Sequence, residues 1–224
     1  MDVQAVIFDL DGVILDSESV WHEVRHDYVL GHGGRWTEDD QKAVMGANSM
    51  QWARYINEVC GVALAEGEIY AGVVAGLRKA YGAHLPLYPG AVEAVRRLAT
   101  AYPLAVASSS PREIIEYVLD LSGIRPLFRV LVSSDDVEHG KPEPDVYREA
   151  CARMGCAPVH TVAVEDSTNG IRSALAAGLV VVAIPNPVFP PPADVVAAAH
   201  VVLGSVAELE PHTLSSLDSP HPRR

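Results

Sequence analysis

Five short apolar runs limit most strongly how this chain can fold. Continuous apolar runs of three to five residues are typical of strands that are buried on both faces of a parallel sheet. From about residue 90 onward, segments with helical periodicity separate the runs. Strand and helix therefore alternate, which predicts an α/β fold with a doubly wound parallel sheet. The runs occupy residues 5–8, 104–107, 130–132, 161–164 and 180–184, and the helical segments occupy residues 91–101, 112–122, 144–154 and 170–177.

The segment that follows the first run breaks this alternation. It contains stretches of helical character at 17–30, 39–44, 49–59 and 66–81, and it contains no convincing strand. We therefore predict three parts: an α/β core from residues 1–16 and 88–211, a helical cap from residues 17–87, and a flexible tail from residues 212–224. The tail is rich in Ser, Pro and His, a composition typical of a frayed end.

Polar residues follow the predicted strands at their carboxyl ends. Ligands of open α/β sheets bind beyond these ends, so we expect the polar groups to meet at one edge of the sheet. The groups are Asp9 and Asp11 after the first strand, Ser108 and Ser109 after the second, Lys141 in a Gly-Lys-Pro segment after the third, and Glu165 and Asp166 after the fourth.

This set of residue types is suited to phosphoryl transfer. Several carboxylates brought together repel one another unless a cation lies between them, and oxygen ligands with open positions suit Mg²⁺. A carboxylate can attack phosphorus once the charge on the phosphoryl oxygens is neutralised, and Lys141 and Ser108 can contribute to that neutralisation. A second carboxyl two residues away can protonate an alkoxide leaving group.

The same residues carry a resemblance to a known family. The segment Phe-Asp-Leu-Asp-Gly-Val at 8–13 resembles the first motif of the haloacid dehalogenase superfamily, and Ser108, Lys141 and the Glu-Asp-Ser segment at 165–167 match the remaining motifs in order. The insert resembles the helical cap of the β-phosphoglucomutase-like branch, which includes sugar-phosphate phosphatases. The likeness extends over roughly residues 4–210. It implies a Rossmann-like core with a helical cap inserted after the first strand.

The resemblance also implies a role for each motif residue. Asp9 is expected to be the nucleophile and a ligand of Mg²⁺, and Asp11 the general acid and base, with its backbone carbonyl on the metal. Asp166 is expected to complete the protein's metal ligands, with Glu165 assisting directly or through water. Ser108, Ser109 and Lys141 are expected to bind the phosphoryl group. No further organic cofactor is implied.

The cap offers candidates for substrate contact, which are Trp21, Asn48, Trp52 and Arg54. The last three lie just after Met45-Gly46-Ala47, where related caps present a substrate loop. Trp21 has a second interpretation, in which it packs the cap against the core. The sequence does not identify which of these residues selects a substrate, nor the physiological substrate itself.

Three functions fit these motifs to different degrees. A phosphatase acting on a small phosphorylated metabolite, such as a sugar or polyol phosphate, would work through an aspartyl-phosphate. A β-phosphoglucomutase-type isomerase must also grip a distal phosphate, and related mutases carry an arginine shortly after a glycine of the cap loop. Here no basic residue follows Gly46 before Arg54, and Trp21 stands where those mutases have a histidine. Hydrolysis is therefore favoured over isomerisation, and the complete motif set argues against a non-catalytic binding module.

Composition restricts the partners and the compartment. The formal net charge of −12 argues against nucleic acid and anionic membranes as partners, because both require a basic surface. Three cysteines cannot all pair within the chain, and the start of the sequence lacks a basic region ahead of an apolar stretch. These features predict a cytoplasmic enzyme whose partner is a small phosphorylated metabolite. The oligomeric state is not determined by the sequence.

Overall fold

A computed structural model of the chain describes residues 2–217 and contains a six-stranded sheet. All neighbouring strands are parallel, and their spatial order is β3-β2-β1-β4-β5-β6. The predicted α/β fold with a doubly wound parallel sheet is therefore confirmed. The strands are β1 (Ala5–Phe8), β2 (Leu104–Ser108), β3 (Phe128–Ser133), β4 (Thr161–Glu165), β5 (Val180–Ala183) and β6 (Val201–Val202).

Helices cover both faces of this sheet. The helices of the described residues are α1 (Glu18–Gly31), α2 (Glu38–Val44), α3 (Ser49–Glu58), α4 (Glu66–Ala83), α5 (Ala91–Ala99), α6 (Arg112–Leu121), α7 (Asp145–Met154), α8 (Thr168–Ala176), α9 (Ala193–Ala198) and α10 (Pro211–Ser215). The first eight begin and end within three residues of the segments that the periodicity predicts.

The strands are buried on both sides, which explains their continuous apolar sequences. In β1, Val6 and Phe8 belong to the hydrophobic cluster that includes α5 and α6, whereas Ile7 belongs to the cluster that includes α7 and α8. Successive side chains of a strand point to opposite faces, so both faces must be apolar when both are covered. The middle of the sheet is therefore a rigid base for the residue that follows β1.

Helices α1 to α4 lie between β1 and α5 in the chain, where the sequence predicts a helical insert. Side-chain hydrogen bonds join them to the core: the Ser49 hydroxyl donates to Asp135 over 2.5 Å, and the Tyr70 hydroxyl donates to Glu113 over 2.7 Å. The division of the chain at residues 16/17 and 87/88 stays a prediction.

Several elements at the end of the chain were not predicted. Strand β6 has two residues, and helices α9 and α10 have six and five, which is too short for a clear periodic signal. The flexibility of residues 212–217 stays a prediction, although Leu214 in α10 and Leu217 after it are buried. The remainder of the predicted tail, residues 218–224, lies outside the described residues.

None of the helices within residues 2–217 combines the length and the apolar composition that a bilayer-spanning helix requires.

The stability of the sheet can be tested at Ile7, which is completely buried at the centre of β1. Ile7→Ala should lower the free energy of unfolding by about 2–5 kcal/mol, since it removes buried methyl groups and leaves a cavity. The control Val159→Ala truncates a side chain that is 46% exposed and should change it by less than about 0.5 kcal/mol. Urea denaturation measures both, and equal losses in the two variants would contradict this account of the core.

Candidate active site

Asp9, Lys141 and Glu165 form a buried ionic cluster at the carboxyl ends of β1 and β4. The Lys141 ammonium lies 3.1 Å from Asp9 Oδ2 and 2.6 Å from Glu165 Oε1. Burial by itself would lower the pKa of Lys141, but the two carboxylates raise it above its usual value, so the lysine is charged. β1 and β4 are neighbours at the point where the strand order reverses, which is where ligands of open α/β sheets bind.

Asp11 is held by donors from two other segments. Its Oδ2 accepts hydrogen bonds from the hydroxyls of Ser110 at 2.6 Å and Ser108 at 3.3 Å, and its Oδ1 accepts one from Trp21 Nε1 at 3.2 Å. The carboxyl group of Asp11 is thereby fixed at the side of the cavity described below. Its contact with Trp21 also joins the end of β1 to α1.

Asp166 packs directly against the turn that follows Asp9. Gly12 has a φ of +79°, and a Cβ at this position would lie 1.8 Å from Asp166 Oδ2. Both the left-handed backbone and the close approach therefore require glycine. On its other side, Asp166 Oδ2 accepts a hydrogen bond from Asn186 Nδ2 at 3.1 Å, just beyond β5.

The three carboxylates Asp9, Glu165 and Asp166 fit a metal ion. One oxygen from each lies within 4.8 Å of the others, and all three residues are buried. Burial, followed by the charges of neighbouring carboxylates, raises the pKa of Asp9 well above its usual value, and burial together with Glu165 raises that of Asp166 to about 8. A divalent cation would relieve this repulsion, and oxygen ligands of this kind suit Mg²⁺.

Glu165 differs from the other two carboxylates because protein donors already surround it. Its Oε1 accepts hydrogen bonds from Lys141 and from the Tyr147 hydroxyl, both at 2.6 Å, and its Oε2 accepts one from the Asp166 amide at 3.1 Å. Gly170 approaches so closely that a Cβ there would lie 1.9 Å from both carboxylate oxygens. This environment favours Glu165 as a residue that positions Lys141 and Asp166.

A cavity between the core and α1–α3 contains most of the predicted site. It is lined by Asp9, Asp11, Ser109, Lys141 and Asp166 from the core, and by Trp21 and Trp52 from the helical segment. Trp21 contacts Asp11 and packs edge-on against Trp52, so it joins the helical segment to the core, and its contact with substrate stays a prediction.

Four predicted site residues do not line the cavity. Ser108 is completely buried beneath it, where its hydroxyl donates to Asp11 and accepts from the Ser110 amide. Glu165 is buried in the cluster described above. Asn48 caps α3 by accepting a hydrogen bond from the Gln51 amide, and Arg54 pairs with Glu66 at 3.0 Å. The geometry gives no support to substrate contact by Asn48 or Arg54.

Other lining residues were not identified from the sequence. They include Glu18 and Arg25 in α1, Ser110 after β2, and Asn186 after β5. Asn186 had a signal that could have been used, since it closely follows the apolar run at 180–184. In α1 the signal is the spacing of Glu18, Trp21 and Arg25, which places all three on one face of the helix.

Comparison with known proteins agrees with this geometry. The family model described as haloacid dehalogenase-like hydrolase matches residues 3–178. Hexitol phosphatase B from Escherichia coli is 31% identical over 83% of this chain and 85% of its own length. A bifunctional riboflavin kinase/FMN phosphatase from Arabidopsis thaliana is 30% identical over 91% of this chain, which spans only 54% of that relative's length.

Solved structures of other proteins have a similar fold. CbbY from Rhodobacter sphaeroides, whose crystal structure contains phosphate, is 26% identical with a TM-score of 0.84, and the match covers 95% of this chain and 99% of CbbY. The resemblance to the haloacid dehalogenase superfamily is therefore confirmed.

The raised pKa of Asp166 has a consequence for stability. Between pH 3.8, the ordinary pKa, and about 8, the folded metal-free protein keeps a proton that the unfolded chain has lost. The free energy of unfolding contributed by this group therefore falls as pH rises from about 5 to about 8. We expect the unfolding temperature of the metal-free protein to fall over this range more steeply than that of Asp166→Asn.

Thermal unfolding in EDTA gives the unfolding temperature of both proteins. For a chain of this size, a change of about 1 kcal/mol in the free energy of unfolding shifts this temperature by about 2–4 °C. Mg²⁺ should raise the unfolding temperature of the wild-type protein more at pH 8 than at pH 5, because protons compete with the metal at the lower pH. If the unfolding temperatures of the wild type and Asp166→Asn depend on pH in the same way, the raised pKa of Asp166 is not the cause of the fall.

Proposed function

The chain belongs to the haloacid dehalogenase-like hydrolase family and is a phosphoric monoester hydrolase, and we propose that it releases phosphate from a small sugar or polyol phosphate with the help of Mg²⁺. The observation that carries the proposal is the buried cluster in which Lys141 lies 3.1 Å from Asp9 beside two further carboxylates, at the base of one cavity.

Asp9 and Asp166 would hold the metal, with the Asp11 carbonyl as a further ligand and with Glu165 behind them. Bound Mg²⁺ would neutralise charge on the phosphoryl oxygens. Side chains of this protein would neutralise the remaining negative charge on the phosphoryl oxygens. Lys141 is a buried cation that reaches Asp9, so a phosphoryl group in contact with Asp9 would also be in reach of the lysine. Ser109 lines the same wall and carries a hydroxyl donor, whereas the hydroxyl of Ser110 donates to Asp11.

Asp9 is the proposed nucleophile. One of its oxygens, Oδ1, accepts a hydrogen bond from the Leu10 amide at 2.7 Å, while Oδ2 faces Lys141. These contacts fix the carboxylate, and Lys141 favours its ionised form. Attack on phosphorus would form an aspartyl-phosphate and release the alcohol, and attack of water on that intermediate would restore Asp9 and release phosphate.

Asp11 is the proposed acid and base. In the first step its proton would pass to the oxygen of the leaving alcohol, and in the second step it would accept a proton from the attacking water. The hydroxyl of Ser110 and the indole of Trp21 each hold one oxygen of this carboxyl group. Their contacts keep Asp11 at the cavity wall in both steps, and Trp21 makes the assembly depend on the position of α1.

The substrate class is argued from the walls of the cavity. The wall of the cavity combines the apolar side chains of Trp21 and Trp52 with carboxylate, guanidinium and amide groups, a mixture that suits the C–H and hydroxyl groups of a sugar or polyol. The similarity to hexitol phosphatase B supports the same class. The negative charge of the chain is consistent with a small substrate and with neither nucleic acid nor an anionic membrane as partner.

A phosphomutase is the second candidate, because Arg25 places one more cation in the cavity. A mutase must hold a second phosphate in reach of this cation. Glu18 and Asp11 line the same cavity and would repel a dianion. Arg54, the basic residue nearest the cap loop in sequence, pairs with Glu66 outside the cavity. These contacts favour hydrolysis over phosphoryl transfer between sugars.

Asp9→Asn should abolish phosphate release from hexose, pentose and glycerol phosphates, because the amide cannot form the phosphoenzyme. The control Asp120→Asn changes an exposed carboxylate of α6 and should leave turnover intact.

Turnover of the wild type should vanish in excess EDTA and return with Mg²⁺. Acid quenching with radiolabelled substrate should trap label on the wild type and not on Asp9→Asn. Undiminished turnover by Asp9→Asn would sink the mechanism.

Phosphatase and mutase activities are separated by the fate of β-glucose 1-phosphate in the presence of a bisphosphate primer. We expect free phosphate to accumulate faster than glucose 6-phosphate, since the cavity offers no well-matched site for a second phosphate. Coupled detection of both products in one reaction gives the ratio directly. Glucose 6-phosphate forming faster than free phosphate would establish the mutase instead.

A further inference from the structure

Arg25 is a buried cation for which the proposed reaction has no use. It is 5% exposed, and it lines the same cavity as Asp9. Its guanidinium lies over the rings of Trp21 and Trp52, 4.3 Å and 5.5 Å from their centroids. Among the described residues, no acceptor forms a hydrogen bond with its buried Nε. A buried donor that lacks an acceptor is costly unless a ligand or water supplies one.

Acceptors and donors without partners lie together around this residue. Glu18, on the same face of α1, also lines the cavity and accepts a hydrogen bond on Oε1 from Gln41 Nε2 at 2.8 Å. Gln41 Oε1 is buried and has no partner within residues 2–217, and the same holds for the hydroxyl of Tyr81. Burial raises the pKa of Tyr81, the charges of Asp11 and Glu18 raise it further and that of Arg25 lowers it, so the hydroxyl lies close to these groups.

We propose that Arg25 and Glu18 form a clamp for neighbouring hydroxyl groups of the leaving alcohol, which makes this chain selective for neutral polyhydroxy phosphates. The proposal rests on the proposed phosphatase function and adds the residues that choose the substrate. A hydroxyl group accepts a hydrogen bond from the guanidinium through its oxygen and donates its own proton to the carboxylate. Two neighbouring hydroxyls can satisfy both side chains at once.

An anionic group fits this clamp less well. A carboxylate or a second phosphate could accept from Arg25, but it has no proton to donate to Glu18, and the charges of Glu18 and Asp11 would repel it. Arg25 and Glu18 carry opposite charges, so the clamp is close to neutral as a pair. An alkyl group would leave the guanidinium without an acceptor, and sites built for hydroxyls reject such analogues strongly.

Three esters of equal carbon number test the clamp: glucitol 6-phosphate, hexyl phosphate, which lacks the hydroxyls, and gluconate 6-phosphate, which ends in a carboxylate. The wild type should have its highest kcat/KM for glucitol 6-phosphate. Arg25→Met should lower this value by about 10- to 100-fold, the effect of losing a hydrogen bond to a charged group, and should lower the value for hexyl phosphate much less.

Two further variants separate binding from folding. Arg78→Met is the matched control, because Arg78 also stacks on an aromatic ring, that of Tyr117, yet lies outside the residues that line the cavity. It should leave the ratio of the two kcat/KM values unchanged. Glu18→Gln keeps the size of the side chain and should also lower this ratio, which provides a test if Arg25→Met does not fold.

The outcomes distinguish the clamp from other roles of Arg25. Equal losses for glucitol 6-phosphate and hexyl phosphate in Arg25→Met would show a structural role and overturn the proposal. Preference of the wild type for gluconate 6-phosphate, lost in Arg25→Met, would show an anion site and overturn it as well.

Calorimetry separates the clamp from the proposed function. If the wild type hydrolyses none of the esters, the phosphatase function fails. The clamp is then tested by titrating glucitol 6-phosphate into Asp9→Asn and into the same variant with Arg25→Met. Tighter binding by the single variant would support the clamp, and equal binding would overturn it.

Discussion

The interaction on which the site depends is the contact of one buried lysine with two buried carboxylates. Lys141 reaches both Asp9 and Glu165, and none of the three residues is more than 7% exposed. Uncompensated charges at this depth would strongly destabilise the fold, so each member must be placed by rigid elements around it. The central strands β1 and β4, buried on both faces, provide that rigidity, and Tyr147 and the Asp166 amide hold Glu165 from the other side.

The excess of carboxylate over ammonium gives the cluster its chemical character. Asp166 adds a further carboxyl group for which Asn186 supplies only a dipole, and burial together with the neighbouring Glu165 raises its pKa to about 8. The protein therefore holds together groups that repel one another, an arrangement typical of a site that binds a cation or a reacting phosphoryl group. The same arrangement explains the two close-packed glycines, Gly12 and Gly170, since any side chain there would displace a carboxylate.

The helical segment contributes a different kind of surface. It brings aromatic rings and a second buried cation, Arg25, to a cavity whose opposite wall is acidic. Trp21 joins the two walls because its indole donates to Asp11 while its ring contacts Arg25. The proposed chemistry and the proposed selectivity therefore lie on separate elements, which meet at Trp21. The contacts of Ser49 with Asp135 and of Tyr70 with Glu113 hold these elements against the core.

Sequence alone determined the order of the first five strands and the first eight helices, the parallel sheet, and the polar groups at the strand ends, because periodicity and strand-end position are local properties of the chain. It located Asp9, Asp11, Lys141 and Asp166 correctly at one cavity. Only the tertiary structure decided that Ser108 and Glu165 lie beneath that cavity, that Asn48 and Arg54 face elsewhere, and that Arg25 points into it. The physical reason is that burial and unpaired hydrogen-bonding groups arise from contacts between segments distant in sequence, which no local pattern records.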